Sequence, residues 1–192
     1  MNNLDIISKS RDLLSGKWIP AIAVVIIFSL ISSLPNRVNE NLSFIGLILG
    51  GPLNLGLAIF FQRTVRGQQS GIENLFDGFS NYLQSTIAFI LVIVVVCIGF
   101  VLLIIPGIMM AMGLSQTFFI MADDNKISGI DAMKKSWEMM DGYKMKYFLL
   151  SLIHIGMMIL GMLALIVGIF YALPIIYNSM ALFYDKLKMK EL

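Results

Sequence analysis

From Ile87 to Ala122 the chain carries no charged residue. A membrane-spanning helix takes about 20 residues, so this run is far too long for one span. It has to reverse within itself, and Pro106-Gly107 is the expected turning point because proline lacks the backbone donor that continues a helix. A chain built around such a run is expected to be a helical membrane protein.

Composition agrees. Of 192 residues, 58% are hydrophobic and 14% charged, against about 25% charged in an ordinary soluble domain. The mean hydropathy is +0.84. Fourteen Met and 16 Gly suit helices that approach closely in a bilayer. Cys97 is the single cysteine and is expected to be inert packing. The first apolar run begins at Trp18 with no small-x-small cleavage site after it, so a retained first span is expected rather than a signal peptide. Polar stretches are too short for a separate soluble domain.

The long run belongs to a repeated unit. Ser70-Gly71-Ile72-Glu73 and Ser128-Gly129-Ile130-Asp131 nearly coincide, and Asn2-Asn3-Leu4-Asp5 is a third copy. Each opens an amphipathic stretch followed by an apolar run, a helix-break proline (Pro52, Pro106, Pro174) and a second apolar run. The second run ends in paired aromatics: Phe60-Phe61, Phe118-Phe119 and Phe183-Tyr184. The expectation is an all-α membrane protein, one transmembrane domain over 1–192. Its three parallel units, about 2–67, 70–125 and 128–187, each combine an amphipathic helix with a helical hairpin.

Six spans follow: Trp18–Leu34, Leu42–Phe61, Leu83–Ile105, Pro106–Met121, Tyr147–Tyr171 and Leu173–Tyr184. Each proline is expected at the start of an even-numbered helix. The last span looks short, and spans four and six are the two whose full crossing is open. All but Arg37 of the 14 Lys and Arg fall on one side of this arrangement. The positive-inside rule makes that side cytoplasmic and puts both termini there.

Ser70 with Glu73, and Ser128 with Asp131, have capping-box spacing. Ile72, Leu75, Phe76 and Phe79 then share one helical face, as Ile130, Met133, Trp137 and Met140 nearly do. Gly16 and Gly142 are expected to end their amphipathic helices. Three such helices would anchor and orient the hairpins at the membrane surface, with Lys134, Lys135, Lys144 and Lys146 near anionic headgroups.

No acidic or basic residue falls inside an expected span, which lowers ion-coupled transport. His154, Asn54, Gln116 and Asn178 are the costly polar groups at membrane depth, joined by Ser115, Thr117, Ser151 and Ser179. They are either interhelical hydrogen bonds or, if they converge, a polar cavity. Asp123-Asp124, Asp77 and Asp141 are expected to be solvated loop charges rather than a cation site. Gly46, Gly50, Gly51, Gly156 and Gly161 are expected as surfaces for close helix approach. No nucleophile set, phosphate loop or Cys-x-x-Cys is present, and no cofactor or catalytic residue is expected. Nucleic-acid binding is not supported.

Several motifs resemble an uncharacterised family of bacterial integral membrane proteins that carries a domain-of-unknown-function label. The family itself looks distantly similar to the membrane domain of some glycerophosphodiester phosphodiesterases. The motifs include Gly51-Pro52-Leu53 with Gly56, Arg66-Gly67, Leu75-Phe76-Asp77-Gly78-Phe79, and Ile105-Pro106-Gly107-Ile108. Further along come Ala122-Asp123-Asp124, Ala132-Met133-Lys134-Lys135-Ser136, Met140-Asp141-Gly142 and Ala181 with Phe183-Tyr184. The resemblance implies a bacterial polytopic membrane protein, expected in the cytoplasmic membrane, and no activity. The functional expectation is a non-catalytic accessory, assembly or stress-related module. The alternative is a facilitative transporter or exporter of a small or lipid-like molecule. Partners are the lipid bilayer and either another membrane protein or a lipid-like ligand.

Overall fold

The structure is a computed structural model. It describes residues 2–38, 43–164, 167–190 and 192, with side chains apart from those of 34–38, 43–45 and 167. The side chain of Arg37, the basic residue assigned to the opposite side, lies outside that description.

The described residues are all helical or in turns. In chain order the helices are α1 (Asn3–Leu13), α2 (Trp18–Val38), α3 (Ser43–Val65), α4 (Asn74–Asp77), α5 (Tyr82–Leu102), α6 (Ile104–Leu114), α7 (Thr117–Asp123), α8 (Gly129–Met139), α9 (Lys144–Leu163) and α10 (Val167–Lys188), with a 3₁₀ turn at Gly78–Asn81. Among the described residues, three helical segments are long and apolar enough to cross a membrane: Asn74–Leu102, Ile104–Asp123 and Lys144–Leu163. A fourth is counted if α1 and the described part of α2, bent by 104° from each other, act as one span. The chain is therefore a multi-pass candidate that associates with a lipid bilayer.

Helices α3, α7 and α10 form the inside. α3 packs against α2, α4, α5, α7 and α10, while α10 also packs against α1, α2 and α9. The core follows from the aromatic pairs: Phe60, Phe61, Phe119 and Tyr184 are buried, with Phe61 stacked on Tyr177 and Phe119 on Tyr184. The outer helices turn apolar faces outward. Ile98 and Val101 of α5 and Ile159 and Leu160 of α9 are all exposed.

The prolines do not sit where their helix-breaking chemistry suggests. Pro52 and Pro174 lie inside α3 and α10; only Pro106 occupies a first turn, that of α6. A proline at position 52 leaves the Ile48 carbonyl without its helical donor. The Thr86 hydroxyl of α5 donates to that oxygen at 3.1 Å, so α3 runs on unbroken. The reversal after α5 comes at Leu103, whose backbone is extended (φ −167°, ψ 158°). The turn between α9 and α10 falls ahead of Pro174, which makes α10 a helix of 22 residues rather than a short last span. There Gly161 and Gly168 let the two helices meet backbone to backbone.

Two of the three amphipathic starts are capped as the spacing predicts. Asn2 and Asp5 form a capping box on α1, and Ser128 Oγ accepts from Asp131 N at 3.1 Å on α8. The Ser70/Glu73 box does not form. The Ser70 hydroxyl takes the Thr64 hydroxyl instead, at 3.0 Å, and the turn is held by Gly71 N donating to Asn74 Oδ1 at 2.9 Å. The helix that follows is one turn of α and one of 3₁₀, so its apolar residues do not share a single face. Leu75 is fully buried while Ile72 and Phe76 are exposed. On α8 the buried face is Gly129, Ala132, Ser136 and Met140, and Ile130 and Trp137 are exposed. Gly16 (φ +76°) and Gly142 (φ +78°) end α1 and α8 in the left-handed region, where a side chain would be strained.

Candidate functional site

The C-terminal ends of the three inner helices are tied together by charge. Arg66 follows the last residue of α3. Its guanidinium forks onto Asp185 of α10, with Nη2 to Oδ1 at 2.6 Å and Nε to Oδ2 at 3.1 Å. Its third arm, Nη1, reaches Asp123 Oδ1 at the end of α7, also at 2.6 Å. The other Asp123 oxygen accepts from Lys188 Nζ and from the Tyr184 hydroxyl, each at 2.7 Å. Two cations and two carboxylates thus close on one another. Planar bidentate pairing of this kind is the stronger and more directional form of ion pair. The carboxylates are mostly covered, with side-chain exposures of 11% for Asp185 and 13% for Asp123, while Lys188 is 55% exposed. The hydrogen bond to Asp185, opposed by partial burial, leads in raising the Arg66 pKa above its ordinary value. Arg66 is a fixed charge at any working pH.

Sequence reasoning does not find this cluster. Asp123, expected as a solvated loop charge, is instead the shared acceptor of three side chains from α10 and the end of α3. Asp124 plays the local role, accepting from the Lys126 amide at 3.0 Å, and Asp77 pairs with Arg63 at 3.4 Å.

Next along the inner helices, Gln62 Nε2 donates to the Phe119 carbonyl at 2.7 Å and cross-links α3 to α7. Between α3, α7, α9 and α10 lies a cavity of about 250 Å³. It is walled by Phe61, Phe118, Tyr147 and Tyr177, and Asn54 and Ser115 supply polar atoms.

Of the polar residues singled out from sequence as a cavity set, Asn54 and Ser115 line that space, and the Asn54 amide donates back to Gly50 O at 2.8 Å within α3. Gln116 is fully buried at the α6–α7 break. Its backbone N–H donates to Ser136 Oγ at 3.1 Å, and its side chain donates to Ser115 Oγ at 2.8 Å. His154 of α9 meets Ser179 of α10, Nε2 to Oγ, at 2.7 Å. Asn178 donates to the Ser10 carbonyl of α1 at 2.7 Å. Gln116 Oε1, His154 Nδ1 and Asn178 Oδ1 have no hydrogen-bond partner among the described residues. His154 and Asn178 therefore serve separate helix contacts, Asn54 bonds within its own helix, and the structure brings Asn54 and Ser115, the neighbour of Gln116, to one space.

The glycines divide in a similar way. A methyl on Gly51 would run into the Ser85 backbone, and one on Gly50 into the Phe89 ring. Gly161 is in backbone contact, but nothing lies near Gly156. Gly56 and Gly78, both within the quoted motifs, seat the 3₁₀ turn and α4 on α3: a methyl on Gly56 would strike the Leu75 carbonyl, and one on Gly78 the Pro52 carbonyl. Cys97, expected to be packed, is exposed on α5.

No curated protein matches this chain, and no solved structure does. The matched family region starts within α5 and runs through α10, so it takes in Asp123, Tyr184, Asp185 and Lys188 but not Arg66. A family model described as "Protein of unknown function (DUF975)" matches residues 84–191, more than half of the chain, and the chain belongs to that family.

Proposed function

We propose that the protein is a non-catalytic, six-span module of a bacterial cytoplasmic membrane, with both termini cytoplasmic, that serves as an accessory or assembly partner of other membrane proteins. The observation that carries this reading is the charged latch of Arg66, Asp123, Asp185 and Lys188. It fastens the ends of α3, α7 and α10 and leaves no ionic group of the cluster turned toward the inner cavity. His154 and Asn178 are engaged between helices, as in a static scaffold.

The repeat plan has support in the packing. Asn3, Ile6, Ser10 and Leu14 are buried along α1 with the same spacing as Gly129, Ala132, Ser136 and Met140 along α8. Each amphipathic element rests on the inner helix of the unit before it or its own: α4 on α3, α8 on α7, and α1 on α10, which closes the ring. Small residues take part in each: Ser10 meets Asn178 of α10, Gly78 of the adjoining 3₁₀ turn meets Pro52 and Gly56 of α3, and Ser136 Oγ accepts from Gln116 N at the start of α7 at 3.1 Å. The exposed apolar turn Val101–Ile105 fits a hairpin tip immersed in lipid.

A second reading, a facilitative transporter of a small or lipid-like molecule, is favoured by the cavity beside Asn54. Native mass spectrometry of the protein extracted gently from its own membrane separates the two. A second polypeptide at fixed stoichiometry supports the scaffold. A lone chain holding a small molecule that is lost in Asn54→Leu, which removes the amide from the cavity wall, supports transport instead.

A further inference from the structure

The cavity beside Asn54 is walled by the rings of Phe61, Phe118, Phe119, Tyr147 and Tyr177, and by no acid, base or histidine among the described residues. Phe61 and Tyr147 are buried, whereas Asn54, Phe118 and Tyr177 are half-buried, so the space is partly open rather than sealed. Two polar groups of its wall lack partners. Asn54 gives its amide N–H to Gly50 O, and no described residue donates to its Oδ1. The Tyr177 ring stacks on Phe61, but its hydroxyl has no hydrogen-bond partner among the described residues. The Tyr147 hydroxyl, by contrast, lies beside the Ser115 and Gln116 side chains. Ser115 Oγ already donates to Met112 O and accepts from Gln116.

Each feature narrows the occupant. A charged ligand would sit there without a counter-ion, which is costly away from water. Walls of rings favour a ring, because aromatic pairs contribute beyond the area they bury. An amide oxygen only accepts, so the ligand has to bring a donor to Asn54. A hydroxyl does so and offers Tyr177 an acceptor as well. At about 250 Å³ the space is smaller than the pockets of about 300–1,000 Å³ that take drug-sized ligands, which excludes a whole phospholipid and leaves room for one or two rings. We propose that the cavity binds a neutral one- or two-ring aromatic alcohol, its hydroxyl donating to Asn54 Oδ1 and accepting from the Tyr177 hydroxyl. Such a ligand rests on the transporter reading, in which the cavity beside Asn54 takes a small molecule, and narrows that molecule from lipid-like to aromatic.

The test is equilibrium dialysis of the full chain in neutral detergent micelles, with binding taken above that of protein-free micelles. The probes are β-naphthol, its methyl ether, its fully hydrogenated counterpart and the anion β-naphthoate. β-Naphthol is expected to bind most tightly. The methyl ether has lost the donor and is expected to bind about two- to tenfold more weakly. The hydrogenated alcohol has lost the ring contacts and is expected to fall by about the same factor, and β-naphthoate is expected not to bind. Asn54→Leu is expected to bring β-naphthol down to the level of the methyl ether and to leave the ether unchanged. Tyr177→Phe keeps the ring and is expected to weaken β-naphthol about two- to tenfold. Unchanged helical circular dichroism checks that both variants fold. Three results overturn the aromatic-alcohol class and leave the cavity itself a binding site: the hydrogenated alcohol or the anion binding as tightly as β-naphthol, an equal loss of β-naphthol and its ether in Asn54→Leu, or wild-type binding in Tyr177→Phe. Binding of none of the probes also overturns it. The transporter reading is then decided separately, by whether native mass spectrometry finds another molecule on the chain.

Discussion

Arg66 holds Asp185 in a two-pronged grip, Nη2 to Oδ1 at 2.6 Å and Nε to Oδ2 at 3.1 Å, although 119 residues separate them in the chain. The same guanidinium reaches Asp123. One side chain at the end of α3 thus sets the spacing of α7 and α10, the two other inner helices.

Removing Arg66 is expected to loosen all three helix ends. Arg66→Ala leaves the largely buried Asp185 carboxylate without its partner. Hydrogen bonds to charged groups contribute about 1.5–3 kcal/mol each, so a loss near the top of that range is expected. Arg66→Lys keeps the charge but not the fork, and a point charge does not span two carboxylates. It should recover only part of the loss. Thermal unfolding in detergent, followed by tryptophan fluorescence, measures both. A lysine variant as stable as wild type would show that charge alone, and not geometry, holds the ends.

The close seat of α4 on α3 makes a second contrast. Gly56→Ala pushes a methyl into the Leu75 carbonyl, which a flexible side chain cannot relieve. Overpacking costs about 1–3 kcal/mol, and backbone contact puts this site at the upper end. Gly156→Ala meets open space inside α9. It is expected to be neutral or stabilising by up to about 1 kcal/mol, the helix-propensity gain of Ala over Gly. Unfolding temperatures of the two variants, compared side by side, check the ranking.

What the sequence discloses and what it hides divide along physical lines. Local chemistry is legible. The caps at Asn2 and Ser128 and the stops at Gly16 and Gly142 depend on residues a turn apart, and they appear as expected. The reversal after α5 falls within a few residues of its expected place, because an uncharged run of that length has to turn. α3 runs past Pro52 because a proline breaks a helix only when nothing replaces its missing donor. The donor beneath Pro52 is Thr86, on another helix. The latch stays hidden for a related reason. Arg66, Asp123 and Asp185 each look like ordinary interfacial charges, and only the adjacency of three non-consecutive helices makes them a cluster. The repeat itself holds the missing clue: all three follow paired aromatics at the end of a second apolar run. His154, Gln116 and Asn178 are visible as costly polar groups, but the direction of each side chain depends on packing that no local pattern encodes.

Cys97 offers a direct reading of what surrounds α5. It is exposed on the protein surface, in the middle of an uncharged helix. If that surface faces acyl chains, a charged reagent cannot reach the thiol there, because charge is costly inside the bilayer. A charged, membrane-impermeant thiol reagent is therefore expected to leave Cys97 unlabelled in intact vesicles on either side and to label it after denaturation in SDS. Prompt labelling in vesicles, read by mass shift, would place that face of α5 in water and count against the membrane-spanning arrangement.

The Thr86–Pro52 pair is the sharpest test of how α3 keeps its length. The Ile48 carbonyl lacks a helical donor because residue 52 is proline, and the Thr86 hydroxyl supplies one at 3.1 Å. Thr86→Val keeps the shape and removes the donor. It is expected to cost about 1–3 kcal/mol, the penalty for a buried acceptor left unpaired. In a Pro52→Ala background the restored backbone amide at position 52 can bond the Ile48 carbonyl itself, so the same Thr86→Val change should cost much less. The double-mutant cycle isolates this coupling from the packing effect of each single change. A positive coupling of about 1 kcal/mol or more identifies Thr86 as the replacement donor. Additive effects would mean that Pro52 is accommodated by backbone adjustment and that the hydroxyl merely sits nearby.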